Sequence, residues 1–217
     1  TLSRMNYSFR KKNKIVKYIV IHYTGMKNLN LAYQKLSDDH SNVSCHYLIA
    51  RNGTILNLLC PKFKAWHAGL SKWRNHININ DYSLGIELEN KGHENRYTKF
   101  TKRQYASLKK LVNFLKNNFY IIDKNILFHS DISPNRKMDP GENFYLNKIG
   151  IKRFYKKRQK KNYSLNKMLS LYGFHSSYIK SYKKYCIKAV KRSLNYKIIS
   201  PNITKKFIKD FNNLLFN

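Results

Sequence analysis

The chain has no apolar run approaching the eighteen or more residues that would cross a bilayer as a helix. The segment Thr1 to Lys14 is polar and basic and lacks the apolar stretch of an intact signal peptide. Cysteine is scarce. Cys45, Cys60 and Cys186 are widely spaced and odd in number, which fits neither a C-x-x-C zinc knuckle nor a disulfide framework. Acidic residues are also few: 11 Asp and Glu stand against 43 Lys and Arg, a formal net charge of +32. Such a charge invites a nucleic-acid reading. Yet Lys, Asn, Ile and Tyr are abundant together, Lys dominates over Arg, and the charge is spread along the chain rather than gathered on one element. That pattern is the codon bias of an AT-rich genome, and no specific nucleic-acid partner is expected.

What is present is an ordinary apolar fraction of 42% in 217 residues, enough for one core domain and a small appendage. Lys17 to Tyr23 reads as a central strand, and Leu29 to Leu36 carries apolar residues at helical spacing. Ser44 to Ala50 and Ile55 to Leu59 read as strands joined by a tight turn at Asn52-Gly53. Residues 61–80 read as loop. Ser83 to Asn90 is a further strand. Thr101-Lys102-Arg103-Gln104 is a capping box that opens a helix running to about Phe119. Asn125 to Phe128 is a short apolar strand, followed by a loop from His129 to Gly141. The interleaving predicts an α/β fold with a mixed central sheet flanked by helices. Beyond 155 the strand pattern ends. Residues 156–163 read as a basic linker, and 164–217 as a small three-helix C-terminal domain.

The chemistry is concentrated in two places. His129 stands at a strand end, and its loop returns Asp139 ten residues later, so both can reach one metal ion. Lys137, two residues before Asp139, can share its direction in an extended segment. His22, at the end of another apolar strand, is the best third ligand. Two imidazoles and a carboxylate make the ligand set that leaves a fourth position open on catalytic zinc. Glu87 and Glu89 alternate in their strand and face one side. Glu87 can then act as base and Lys137 as cation. Each piece is weak alone, since a strand-end histidine is commonly structural and a strand glutamate commonly solvated; their combination is more specific.

Five motifs occur in order: Ile21-His22-Tyr23-Thr24, Val43 to Ile49, Ala65-Trp66-His67-Ala68-Gly69, Ser83 to Asn90, and the loop from His129 to Gly141. Together they resemble the zinc-dependent N-acetylmuramoyl-L-alanine amidases of the type-2 amidase fold, bacterial enzymes related to peptidoglycan recognition proteins. The resemblance covers about residues 15 to 145. It implies one zinc per chain on His22, His129 and Asp139, with Glu87 and Lys137 as catalytic partners. The substrate would be peptidoglycan or a muropeptide, cut between N-acetylmuramic acid and L-alanine. The alternative it leaves is a recognition protein that binds muropeptides without cutting them. It further implies substrate contacts from Trp66 and His67 at the rim, with His46 and Asn90 supporting site or peptide. Some members carry a catalytic Tyr where this chain has Cys45; the branch with Glu in the third strand does without it. Residues 164–217 resemble a degenerate peptidoglycan-binding module that assists attachment to polymer. A monomer is expected, in the cytoplasm or the periplasm and cell envelope.

Overall fold

A computed structural model describes residues 6–153 and 163–216 of the chain. Most of the expected linker, 156–162, lies outside the described residues. Among the described residues, nine short strands and six α-helices follow one another. In order they are β1 (Tyr7–Phe9), β2 (Tyr18–Tyr23), α1 (Leu29–Ser37), β3 (Tyr47–Ile49), β4 (Ile55–Asn57), β5 (Phe63–Ala65), β6 (Lys72–Trp73) and β7 (His76–Ile77). Then come β8 (Ser83–Leu88), α2 (Lys102–Phe119), β9 (Ile126–Phe128), α3 (His129–Ile132), α4 (Leu165–Tyr172), α5 (Ser176–Ser193) and α6 (Lys205–Phe216). The central sheet has the order β4-β3-β8-β2-β9. β3, β8, β2 and β9 run parallel, and β4 closes one edge antiparallel, so the sheet is mixed.

Alternation assigns side chains to two faces. Ile19 and Ile21 of β2, Leu84, Ile86 and Leu88 of β8, and Ile126 and Phe128 of β9 pack with Tyr105, Leu108, Leu111, Val112 and Leu115 of α2. The α2 helix begins where its sequence directs. Gln104 donates its backbone N–H to Thr101 Oγ1, and Gln104 Oε1 accepts from the Thr101 N–H, both at 3.0 Å. The last turn stops at Tyr120, which adopts a left-handed conformation.

The opposite face is shared. α1 covers Cys45 and Leu48 with Ala32 and Leu36. Tyr18, Val20 and Leu127 pack instead with Met168, Leu169, Tyr172, Ile187, Phe207 and Phe211 of the C-terminal helices. The three expected C-terminal helices are present, and they pack on the sheet: α4, α5 and α6 are its second cover and share a core with it. Their apolar stripes carried no sign of what they would face, and a short helical stretch packs on a neighbour as readily as on itself. The region read as loop also holds structure. β5 pairs antiparallel with β1, and β6 with β7. These pieces are two or three residues long, too short for a periodic signal.

Candidate metal centre

β2, β8 and β9 are parallel and end together, and the site lies at those carboxyl ends, the usual place for ligands in open α/β sheets. His22 is the penultimate residue of β2 and pairs in register with Glu87, the penultimate residue of β8. Both therefore lie on the face away from α2. His129 follows directly on β9 and opens a single helical turn, where a loop was expected. Ser133 N–H bonds back to the His129 carbonyl, and the Lys137 and Arg136 N–H groups to the Ser133 carbonyl, so the chain folds back on itself and returns Asp139 to the site. Ser130 N–H closes it on the Asp139 carbonyl at 3.0 Å.

His22 Nδ1 lies 2.9 Å from His129 Nδ1, and each lies 3.0 Å from Asp139 Oδ2. The hydrogen-bond network assigns the imidazole protons. His129 Nε2 faces the Ala68 carbonyl at 3.1 Å, which only accepts, so Nε2 carries a hydrogen, and in the neutral tautomer Nδ1 is the free electron pair. For His22 the argument runs through two further residues. Ser83 donates its hydroxyl to the Ile79 carbonyl at 2.7 Å, and so accepts from His67 Nε2 at 3.0 Å. His67 Nδ1 is then an acceptor, 2.9 Å from His22 Nε2. His22 Nε2 donates, and in the neutral ring its Nδ1 is likewise the free electron pair. With both rings in these neutral tautomers, three electron-rich atoms converge. Burial and the neighbouring His129 hold the His22 pKa down to about 4, so the ring is neutral at pH 7. Desolvation pushes the Asp139 carboxyl upward, but the two imidazoles outweigh it and hold its pKa well below the usual range. Such a set suits a cation. Tetrahedral zinc, with bonds near 2.0–2.1 Å, would set its ligands roughly 3.3 Å apart, close to the spacing found. Among the described residues, no other group of three or more His, Cys, Asp or Glu side chains converges in this way.

A cavity of about 340 Å³ opens onto these atoms, lined among others by Trp66, His67, Glu87, His129, Lys137 and Asp139. Glu87 Oε2 is buried there without a hydrogen-bond partner. Burial and the nearby Asp139 raise the Glu87 pKa to about 8, against an opposing pull from Lys137. Gly85 makes the arrangement possible. A Cβ at that position would stand 2.4 Å from the His67 ring, which crosses the strand between Ser83 and Glu87.

The profile of the N-acetylmuramoyl-L-alanine amidase family matches residues 11–142, which includes every residue of this centre. The chain belongs to that family. It is 43% identical over 103 residues to the 1,6-anhydro-N-acetylmuramyl-L-alanine amidase AmpD of Haemophilus influenzae, covering 47% of this chain and 54% of that one. With the N-acetylmuramoyl-L-alanine amidase AmiD of Escherichia coli it shares 36% identity over 141 residues, 59% of this chain and 50% of that one. The chain thus spans about half the length of these curated relatives. In structure it superposes on E. coli AmiD, solved with the substrate anhydro-N-acetylmuramic acid-L-Ala-D-γ-Glu-L-Lys, with a TM-score of 0.77 at 25% identity over 94% of this chain and 91% of that one. AmpDh3 of Pseudomonas aeruginosa shares the fold, with a TM-score of 0.79 at 23% identity over 95% of this chain and 94% of that one. These superpositions extend over nearly the whole chain, so the fold of these neighbours includes the C-terminal helices. No helix among the described residues is long and apolar enough to cross a membrane.

Against the family frame, the other expected site residues separate. Trp66 lies half-buried on the cavity wall, its Nε1–H bonded to Ser8 Oγ at 2.8 Å. His67 reaches the cavity but spends both ring nitrogens on His22 and Ser83, so it orients the His22 ring rather than offering a polar contact at the rim. His46 is fully buried and outside the lining. Its Nδ1 accepts from the Gly85 N–H at 3.0 Å and its Nε2 meets the Phe63 carbonyl at 3.2 Å, which ties β8 to β5 and leaves nothing for substrate. Asn90 is likewise buried; it donates to the Thr98 carbonyl and accepts from the Gly92 N–H, so it shapes the loop after β8. Glu89 accepts from the Arg51 N–H at 2.8 Å, beyond the cavity. Cys45 is fully buried beneath α1, a packing residue. The sequence reading missed the part Ser83 and Gly85 play. A glycine inside a strand was the available signal, since it marks a close approach.

Proposed function

We propose that this chain is a zinc-dependent amidase that hydrolyses the bond between the lactyl group of N-acetylmuramic acid and L-alanine in peptidoglycan or anhydro-muropeptides. The observation that carries the reading is the convergence of two imidazole Nδ1 atoms and a carboxylate oxygen within 3.0 Å. Likeness to AmpD and to AmiD, the latter solved with an anhydro-muropeptide, supports the substrate class. His22, His129 and Asp139 would hold one zinc. When bound in such a site, zinc acidifies a water toward a pKa of about 7 and polarises a carbonyl.

The chain's own groups do the rest. Glu87 Oε2 is unpartnered and faces the cavity, so it takes the proton of the attacking water and later passes it to the departing amine of L-alanine. Its pKa near 8 belongs to the metal-free site; a dication close by favours the carboxylate and returns it to the base form. Lys137 places its ammonium on the oxygen that gains charge as the carbonyl becomes tetrahedral, an interaction worth roughly 3–4 kcal/mol where single donors have been removed elsewhere. Trp66 packs against sugar or stem peptide at the rim. Metal analysis of the purified protein, with mass spectrometry of products from anhydro-muropeptide and from sacculi, tests the reading. One zinc per chain and release of free stem peptide are expected. Zinc that stays stoichiometric after His129→Ala, or products cut elsewhere, would overturn it.

A further inference from the structure

The short helix α3 carries His129 at its first position, and one turn cannot hold itself in water. Its restraints come from far along the chain. Asp131 is fully buried. Its Oδ2 accepts from the Phe128 N–H at 2.8 Å and from Arg153 Nη1 at 2.9 Å. Its Oδ1 accepts from the Tyr172 hydroxyl, on the last residue of α4, at 2.8 Å. Arg153 Nη1 also reaches the Tyr172 hydroxyl at 3.1 Å, so the three groups form one closed network. Tyr178 of α5 donates to the Ile132 carbonyl at 3.1 Å and closes the other end of the turn. Trp73 of β6 is driven against Gly173, where a Cβ would stand 2.3 Å from the ring, so α4 cannot slide over the sheet without unseating it. A carboxylate, a guanidinium and a phenol would be costly here if any one were unpaired, so together they fix where His129 begins.

We propose that the C-terminal helices are a positioning element of the metal centre: Tyr172 and Arg153, acting through Asp131, set the place and aim of the His129 imidazole. This rests on the zinc reading above. Tyr172 touches neither metal nor substrate; it acts at two removes, and loss of its hydroxyl leaves an aromatic ring of nearly the same shape in the core.

The test compares wild type with Tyr172→Phe and Phe207→Leu as intact chains. Phe207 is buried in the same helical layer but has no part in the Asp131 network, so its shortening loosens the layer alone. Zinc affinity is read by competition with a chromophoric chelator, and ligand geometry by the visible absorption bands of the cobalt(II)-loaded protein. Tyr172→Phe is expected to weaken zinc about tenfold, the low end of what partners behind a ligand command, and to shift the cobalt bands, while Phe207→Leu lowers the melting temperature and leaves both readouts at wild type. An unchanged affinity and spectrum in Tyr172→Phe would overturn the positioning role and leave the zinc reading intact. So would an equal loss in Phe207→Leu. Wild-type protein that takes up no zinc would overturn both.

Discussion

On the α2 side of the sheet, the rows Ile19–Ile21, Leu84–Ile86–Leu88 and Ile126–Phe128 stay apolar from one end to the other. On the opposite side the rows change character as they run. In β2, Tyr18 and Val20 give way to His22; in β8, Ser83 and Gly85 give way to Glu87. The first face meets one long helix and makes core. The second meets the C-terminal helices at Tyr18, Val20 and Leu127 and α1 at Leu48, and the carboxyl ends of β2 and β8 open into a cavity lined by charge. The same alternation thus builds a packing surface and a reactive one. The difference lies at the carboxyl ends of β2 and β8, in His22 and Glu87, and in what stops short of covering them.

The contrast breaks most severely at the ligands. His129→Ala removes one of three converging atoms and leaves Asp139 facing a single imidazole. Zinc binding is expected to fall by more than the roughly 10–100-fold that loss of an outer partner costs, and amide cleavage to fall with it. Inductively coupled plasma analysis after gel filtration checks the first, product mass spectrometry the second. Full occupancy would mean that the ligands lie elsewhere.

Glu87→Gln is next. It keeps the shape of the side chain on the reactive face and removes the proton acceptor. Turnover is expected to drop by roughly 10²–10⁴-fold, with zinc retained and melting unchanged or raised, because an unpartnered buried carboxylate is replaced by a neutral amide. A near-wild-type rate would put the base at another residue.

Much of this second face could be read before the fold was known. His22, His129, Asp139, Glu87 and Lys137 are each marked by strand ends and by a loop with Pro and Gly, features local in sequence. What stayed hidden is the support behind them. His67 lies 45 residues from the ring it orients, and Tyr172 lies 41 from Asp131. No local period reports such distances. The capping box at Thr101 and the apolar stripe of α2 were legible for the opposite reason, since both are closed within a few residues. The C-terminal helices were legible as helices and not as a cover, because an amphipathic stripe states that a face is buried without saying against what.

Two substitutions sharpen the comparison by acting on one face at a time. Gly85→Ala puts a methyl group into the His67 ring on the reactive face. It is expected to displace His67 from His22, weaken zinc roughly 10–100-fold, and lower stability by about 1–3 kcal/mol, the cost of overpacking. Leu108→Ala on the α2 face removes a fully buried side chain. There the expected cost is about 2–5 kcal/mol of stability with zinc affinity unchanged. Chemical denaturation and chelator competition on both variants give four numbers. A metal loss in Leu108→Ala equal to that in Gly85→Ala would erase the division between the faces.

The smallest effect is expected at Glu89. It stands two residues beyond Glu87, just past the end of β8, so alternation alone makes the two equivalent. The sheet separates them. Glu87 ends among the metal-centre residues with one oxygen unpartnered, whereas Glu89 Oε2 accepts the Arg51 N–H and ties β8 to the turn between β3 and β4. Glu89→Gln keeps a carbonyl oxygen able to take that bond, and the site is partly exposed. Loss of charge on such a bond should cost about 0.5–1.5 kcal/mol at most, and turnover should stay within about twofold of wild type. Steady-state rates of Glu89→Gln and Glu87→Gln, measured side by side on one muropeptide, decide between position and face as the source of reactivity. A drop in Glu89→Gln comparable to that in Glu87→Gln would mean that the whole acidic side of β8 acts as one charged surface, and that the unpartnered oxygen of Glu87 is not what singles it out.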